Sequence, residues 1–173
     1  MADESERKIV ALDTLEAMVE QHRVQGAAIV LTNGCFDLLH IGHIRYLQQA
    51  RALGDLLIVG LNSDASAQRL KGPRRPLMPQ GERAALLAAL ACVDYVTIFE
   101  EDTAEALVTR LRPAIYVKGG DYQLMPAIAG KVLPEAAAVQ RYGGRVVLLP
   151  YLPGHSTSEI IARIVARYGN KIG

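Results

Sequence analysis

The chain predicts an α/β; doubly wound domain, a five-stranded parallel sheet covered on both faces, with an extra helix at the N-terminus. Three observations carry that expectation. Short apolar runs alternate with amphipathic stretches at helical spacing. Runs such as Ala27 to Leu31 and Leu56 to Leu61 are apolar without alternation, as strands buried on both faces are. Polar clusters recur just after strands, at 32–43, 62–64, 119–122 and 154–158, where ligands gather on a parallel sheet.

The elements follow in order. The start, Met1 to Lys8, is charged. Leu12 to Glu20 reads as a helix with apolar positions 12, 15, 18 and 19 that ends near Gly26. Residues 1–26 are therefore expected as a tail and helix packed on the domain 27–173. A strand 27–32 leads into helix 43–53, whose apolar residues are 44, 47, 50 and 53. Strand Leu56 to Leu61, a short helix near 64–70, a Pro-rich loop 72–79 and helix Glu82 to Ala91 come next. Strand Val93 to Phe99, helix 103–111, strand Ile115 to Lys118, helix Pro134 to Tyr142, strand Arg145 to Leu149 and helix Ser158 to Arg167 complete the chain.

At 173 residues, 50% hydrophobic and 21% charged, the sequence is long enough for one substantial core and short for two. Nineteen basic against 18 acidic side chains give a net charge of +1, so no global field points to nucleic acid or an anionic membrane. Any anion site must be local. No run approaches the roughly 18 apolar residues of a membrane span, and no secretory signal opens the chain, so a cytoplasmic location is expected. Cys35 and Cys92 sit in apolar contexts that suit reduced, buried thiols.

The densest chemistry lies in Thr32-Asn33-Gly34-Cys35-Phe36-Asp37-Leu38-Leu39-His40-Ile41-Gly42-His43. Two imidazoles flank a glycine where a strand runs into a helix. There the unpaired N–H groups and the positive end of the helix dipole favour a phosphate. Gly34 permits tight backbone approach, and Gly42 removes a Cβ that would crowd the anion. His40 and His43 can donate hydrogen bonds to phosphate oxygens as charge builds on them, with neither acting as a nucleophile. Simple helix capping by either histidine is the plainer alternative. A zinc set from Cys35, His40 and His43 matches no closed structural spacing.

Other clusters leave two readings each. Asn62-Ser63-Asp64 can cap the following helix or touch ligand. Lys71, Arg74 and Arg75 stand in a Gly/Pro-punctuated loop that can close over polyphosphate, with Lys71 foremost, or form a solvated turn. Arg83 places a cation in a helix's first turn, for a ligand or an ordinary ion pair. In Lys118-Gly119-Gly120-Asp121-Tyr122 the glycines allow backbone contact with a base or ribose, Asp121 can accept from hydroxyls and Lys118 can meet a phosphate; a tight turn is the alternative. Ser156, Thr157 and Ser158 precede or open the last helix, as phosphate ligands or as caps.

The block Leu31 to His43 resembles the His-x-Gly-His nucleotidyltransferase superfamily, in its cytidylyltransferase-type branch. Taken with Asn62-Ser63-Asp64, Arg69 to Gly72, Cys92 to Val96, Phe99 to Thr103, Val117 to Tyr122 and Gly154 to Ser158, it resembles one narrower family, the heptose 1-phosphate adenylyltransferases. Those form the ADP-heptose synthase module often fused to a sugar kinase; no kinase half is present here, so the likeness is to a stand-alone version. The resemblance runs from about residue 8 to about 167. It implies a Rossmann-like nucleotidyltransferase domain that transfers AMP from ATP to D-glycero-β-D-manno-heptose 1-phosphate, giving ADP-heptose and pyrophosphate, with Mg2+ accompanying ATP.

By the same resemblance His40, His43 and Lys71 are catalytic. The implied ATP-binding residues are Thr32, Asn33, Gly34, Phe36, Asp37, His40, Gly42, His43, Gly119, Asp121, Ser156, Thr157 and Ser158. Asp37, Lys71, Arg83 and Lys118 would meet the sugar phosphate, and no residue is assigned as a dedicated metal ligand. Glycerol-phosphate cytidylyltransferases carry an arginine where Tyr151-Leu152-Pro153 stands here, which disfavours that branch. Partners are expected to be ATP and a sugar 1-phosphate, without nucleic acid or membrane, and a homodimer is compatible with the small size. The alternatives are AMP or CMP transfer to glycerol 3-phosphate or riboflavin phosphate, and a regulator that binds nucleotide without turnover.

Overall fold

In the computed structural model, which describes residues 5–120, 122–123, 131–150, 152 and 154–169, five parallel strands lie in the order β3-β2-β1-β4-β7. They are β1 (Ile29–Gly34), β2 (Leu56–Asn62), β3 (Tyr95–Phe99), β4 (Ile115–Gly119) and β7 (Arg145–Leu149). The first strand sits centrally, with Val30 opposite Leu57 on one side and Ile115 on the other. The chain winds outward through β2 and β3, then returns past β1 to β4 and β7. The switch point thus lies between β1 and β4, and the crevice at their carboxyl ends is where such sheets take ligands.

Helices α1 (Leu12–Val24), α2 (Ile41–Arg51), α3 (Asp64–Lys71), α4 (Gln80–Ala88), α5 (Glu105–Leu111), α6 (Glu135–Arg141) and α7 (Thr157–Tyr168) join or flank the strands. Successive residues of a strand point to opposite faces, and the core divides accordingly. Ile29 and Leu31 pack with Leu15 and Val19 of α1, Leu107 and Leu111 of α5 and Val139 of α6. Val30 faces the other way, among Leu47 and Ala50 of α2 and Ala84 and Leu87 of α4. This two-sided burial explains why the strands read as continuous apolar runs. The helix before β1 contributes to the same core. Ile9 bridges to Val96 beside β3, and the Lys8 ammonium donates to the carbonyls of Leu90 and Val93 at 3.2 and 2.9 Å.

Differences from the sequence expectation lie at element ends. Strand β1 extends through Asn33 and Gly34, which pair in register with Gly60 and Leu61. Helix α2 begins at Ile41 rather than 43, so the second histidine lies inside its first turn. Helix α4 starts at Gln80 and stops at Ala88. A short parallel pair, β5 (Tyr122–Gln123) and β6 (Lys131–Val132), has no counterpart in the sequence pattern. Among the described residues no helix is long and apolar enough to cross a membrane.

Candidate active site

The end of β1 is locked before it meets any ligand. Thr32 is fully buried, and its hydroxyl lies 2.6 Å from the Tyr46 hydroxyl, which donates to the Val117 carbonyl at 3.1 Å. Because that donation uses the tyrosine proton, Thr32 donates to Tyr46. Asn33 Oδ1 accepts from the Tyr116 hydroxyl at 2.6 Å and from Lys118 Nζ at 2.8 Å. Lys118 is thereby fixed over the junction of β1 and β4. The Thr32 side chain, expected at ATP, is hydrogen-bonded to Tyr46 of α2.

Beyond Gly34 the chain turns sharply, with Phe36 in the left-handed region at φ 43°. A Cβ on Gly34 would stand 3.0 Å from the Phe36 ring, so the glycine lets that ring fold back over the strand. Phe36 then meets His43 edge to face, with centroids 5.2 Å apart. His40 occupies the N-cap position of α2 in extended backbone, and its ring stacks on His43 at 3.9 Å and 25°. Gly42 lies between them. A Cβ there would stand 2.9 Å from His40 Nδ1 and 3.1 Å from the His155 carbonyl oxygen. The chain just before α7 therefore passes against Gly42 at the start of α2, which brings the two helix starts close together.

Electrostatics follow from this packing. Burial pushes His43 down to about 4, with the neighbouring His40 charge adding to the effect. The Leu38 backbone opposes the shift, although no well-formed hydrogen bond reaches His43 Nδ1. His40 is also lowered, first by burial and then by His155, against the pull of Glu159. Both rings are neutral at physiological pH in the free protein. Burial raises the Cys35 thiol, while Lys71, Arg83 and Lys118 lower it, so these cations surround the loop after β1.

Two residues expected at the ligand also make internal contacts. Asp37 is buried, and its Oδ1 accepts from the N–H groups of Leu77 and Met78 at 2.8 and 3.0 Å. Arg75 Nε stands 2.9 Å from Oδ2 as an ion pair, without the alignment of a hydrogen bond. The Asp37 carboxylate clamps the loop before α4 through Oδ1. The loop 72–79 is tied to Asp37 at Arg75, Leu77 and Met78. Arg83 has no side-chain exposure and donates to the carbonyls of Met78, Cys35 and Asn62 at 2.9, 2.5 and 3.0 Å, and to Asp64 Oδ1 at 2.7 Å. Its buried side chain ties three loops together. The ion pair of the plainer reading is present, with Asp64 as its partner.

The remaining residues stay at the edge. Lys71 is exposed at the last position of α3, one residue before the loop expected to carry it. Ser63 caps α3 by accepting from Ser66 N–H at 3.2 Å, in line with the capping alternative. Ser156 is the N-cap of α7 and accepts from Glu159 N–H at 3.2 Å; Thr157 is half-buried and Ser158 exposed in the first turn. Gly119 ends β4, and Gly120 N–H donates to the Leu149 carbonyl at 3.1 Å. Asp121 lies outside the described residues. His155 belongs to the Gly154 to Ser158 motif, but the sequence gives it no role of its own; only the fold brings it against Gly42 and His40.

The cytidylyltransferase-like family matches residues 31–163. Among curated relatives, the bifunctional protein HldE of Geobacter sulfurreducens is 51% identical over 168 residues, covering 97% of this chain and 33% of that one. Its counterpart from Syntrophotalea carbinolica is 54% identical over 165 residues, covering 95% and 32%. The chain thus spans about a third of the length of the curated relatives it matches. Among solved structures, the lipopolysaccharide core biosynthesis protein from Thermoplasma volcanium superposes with a TM-score of 0.57 at 28% identity, over 73% of this chain and 98% of its own. A pantoate-beta-alanine ligase from Francisella tularensis, also at 0.57 but 12% identical, covers 94% of this chain and 79% of its own and shares the fold.

Proposed function

Since the chain belongs to the cytidylyltransferase-like family, we propose that it transfers AMP from ATP to D-glycero-β-D-manno-heptose 1-phosphate, releasing pyrophosphate and forming ADP-heptose. The observation that carries the reading is the stacked pair of neutral imidazoles across Gly42, where the starts of α2 and α7 meet. The ordered motif blocks, the identity of about half to proteins named HldE, and the neighbour named for lipopolysaccharide core biosynthesis support the choice of nucleotide and acceptor. They also support a role in supplying a surface-glycan precursor.

In the proposed reaction an oxygen of the sugar phosphate attacks the α-phosphorus of ATP, and the bond to the β-phosphate bridging oxygen breaks. Pyrophosphate leaves in line with the attack. His40 and His43 donate N–H hydrogen bonds to the non-bridging and leaving oxygens, which gain charge in the transition state. Holding the rings neutral without ligand lets the arriving triphosphate draw a proton onto them, so that their charge appears with the substrate. First-turn N–H groups of α2 and α7, with Ser156, Thr157 and Ser158, receive the β- and γ-phosphates. Lys118 at the crevice and Lys71 at its rim serve the acceptor phosphate and the developing charge.

Gly34 and Gly42 give the phosphates backbone access; Phe36 and Asn33 hold the rings and Lys118 in place. Gly119 and Asp121 border the ribose and base. Magnesium would enter with ATP, and bound there it would offset the charge of the phosphates. The test is pyrophosphate release from ATP and heptose 1-phosphate, with CTP and glycerol 3-phosphate in parallel. Release confined to the first pair is the expected result. Release only with CTP, or none with any pair while ATP still binds, would overturn the assignment.

A further inference from the structure

Two carboxamides at the ends of the central strands have their orientation forced, in opposite senses. Asn33 Oδ1 accepts from the Tyr116 hydroxyl and from Lys118 Nζ. An ammonium can only donate, so the amide oxygen must face it and Nδ2 must face the other way. Asn62 is turned about. Its Nδ2 donates to Ser66 Oγ at 2.9 Å, and Ser66 spends its own proton on the Glu101 carbonyl at 2.8 Å. Ser66 Oγ is therefore the acceptor, which turns Asn62 Oδ1 to the opposite side. The two residues are 8 and 2% exposed. Among the described residues neither Asn33 Nδ2 nor Asn62 Oδ1 has a hydrogen-bond partner, yet neither atom is sealed from solvent.

Both side chains stand on one face of the sheet. Asn33 follows Ile29 and Leu31 at period two, and Asn62 follows Ile58 in the same way, on the side of α5 and α6. Asn33 pairs with Gly60, two residues before Asn62. Gly60 has no side chain to part the amides, and Leu107 fills the floor there, 2.5 Å from where a Cβ would be. Strand spacing and rise put the two Cα atoms about 8 Å apart. A sugar ring with its hydroxyls spans such a gap.

The position suits the acceptor of the proposed transfer, on which this inference rests. Pyrophosphate leaves there towards the starts of α2 and α7, and the ribose and base lie beside Gly119 at the end of β4. In-line displacement brings the acceptor from the side away from the leaving group, which leaves it the ends of β1 and β2. Lys118, which serves the acceptor phosphate, donates to Asn33 itself, so a sugar held there by its phosphate extends over Asn33 towards Asn62. A hydroxyl is both donor and acceptor, and a site built to hydrogen-bond it rejects an analogue that lacks it. We propose that Asn33 and Asn62 determine specificity by reading two hydroxyls of the acceptor sugar, Asn33 Nδ2 donating to the oxygen of one and Asn62 Oδ1 accepting the proton of the other. Asn33 thereby moves from the nucleotide, where the family resemblance put it, to the acceptor.

Calorimetry of the full chain with heptose 1-phosphate and its single-deoxy analogues, beside a non-hydrolysable ATP analogue, tests the pair. The wild type is expected to bind two of the deoxy sugars roughly tenfold more weakly than the parent. Asn33→Ala should bind the parent about tenfold more weakly and become indifferent to one of those deletions, and Asn62→Ala should do the same for the other. Asn33→Asp still accepts from Tyr116 and Lys118 and changes only the group that meets the sugar, so it should melt like the wild type and bind the parent no better than Asn33→Ala. Affinity for the ATP analogue should be unchanged in all three. A wild type that binds every deoxy sugar within about twofold of the parent overturns the inference without recourse to any variant. So do folded variants that discriminate as the wild type does. Discrimination against 2′-deoxy- or 3′-deoxy-ATP that disappears in these variants would put the ribose at the pair and overturn the assignment to the acceptor. Hydroxyl-dependent binding without pyrophosphate release would sink the proposed transfer and keep the pair, release indifferent to the hydroxyls would do the reverse, and no binding of the parent sugar overturns both.

Discussion

Gly42→Ala separates the demands of the site from those of the fold. Gly42 is the second residue of α2 in ordinary helical backbone, which alanine adopts without strain. On propensity alone the change would stabilise the helix, by up to about 1 kcal/mol in a helix interior and less in the first turn. The new methyl would meet His40 Nδ1 at 2.9 Å, His40 Cε1 at 3.0 Å and the His155 carbonyl at 3.1 Å. Carbon contacts settle at about 3.5 Å, so the His40 ring must retreat by about 0.6 Å and the start of α7 by a little less. A displacement of about 1 Å at a catalytic group costs about 100-fold in rate, which places the expected loss in kcat/KM between about 10- and 100-fold. The Tm should stay within about 3 °C of wild type, because the propensity gain offsets much of the local repacking. Gly81→Ala is the control: Gly81 is also helical, and a Cβ there meets nothing within 4 Å. Steady-state pyrophosphate release and a thermal melt on both variants decide the matter. Activity of Gly42→Ala within threefold of the control would refute this role for Gly42, and so would a loss that tracks unfolding.

His40→Ala and His43→Ala are each expected to lower kcat by about 100-fold or more with folding intact, read by single-turnover kinetics and melting. Removing Arg83 should do the reverse of Gly42→Ala and unsettle the fold first. Arg83→Met leaves three loop carbonyls and Asp64 without their donor, a loss of about 3 kcal/mol or more and a fall in Tm of about 10 °C. Stability should also depend on acid through His43. Its pKa is about 4 in the folded protein against an ordinary 6.5, so the unfolded chain takes up the proton first as pH falls. The contribution is complete above about pH 6.5 and lost on the way to about pH 4, at most about 3 kcal/mol. Urea titrations at pH 7 and pH 5 should show this loss in the wild type and a smaller one in His43→Gln.

Much of the fold was legible because both faces of the sheet are buried. Continuous apolar runs at 29–31 and 56–61, separated by amphipathic stretches, suit a sheet covered on both sides and little else. Element ends were less so, since they depend on pairings across the sheet. Asn33 and Gly34 extend β1 only because Gly60 and Leu61 lie alongside. A helix from Glu82 follows from the sequence pattern, whereas its actual start at Gln80 depends on the Pro79 carbonyl accepting the Arg83 N–H. The pair β5 and β6 left no sign because each strand is two residues long.

In the site, the sequence identified the loops but not how each polar side chain is spent. Asp37 and Arg83 carry the residue types that bind sugar phosphates; Asp37 stands in the loop after β1 and Arg83 near the start of α4. What the sequence does not show is that each also has partners 40 and 48 positions away: the Leu77 amide for one, the Cys35 carbonyl for the other. His155 shows the converse. Nothing local distinguishes it from a cap residue, yet its carbonyl fills the space that Gly42 leaves beside His40. The histidine pair remained legible because its geometry is local: a residue at the N-cap and another three positions on project from the same end of a helix and can stack without help from elsewhere. A polar residue in an edge loop is therefore a ligand candidate only after the demands of neighbouring loops are met, and His40, His43, Lys71 and the first turn of α7 keep donors free for phosphate on that criterion.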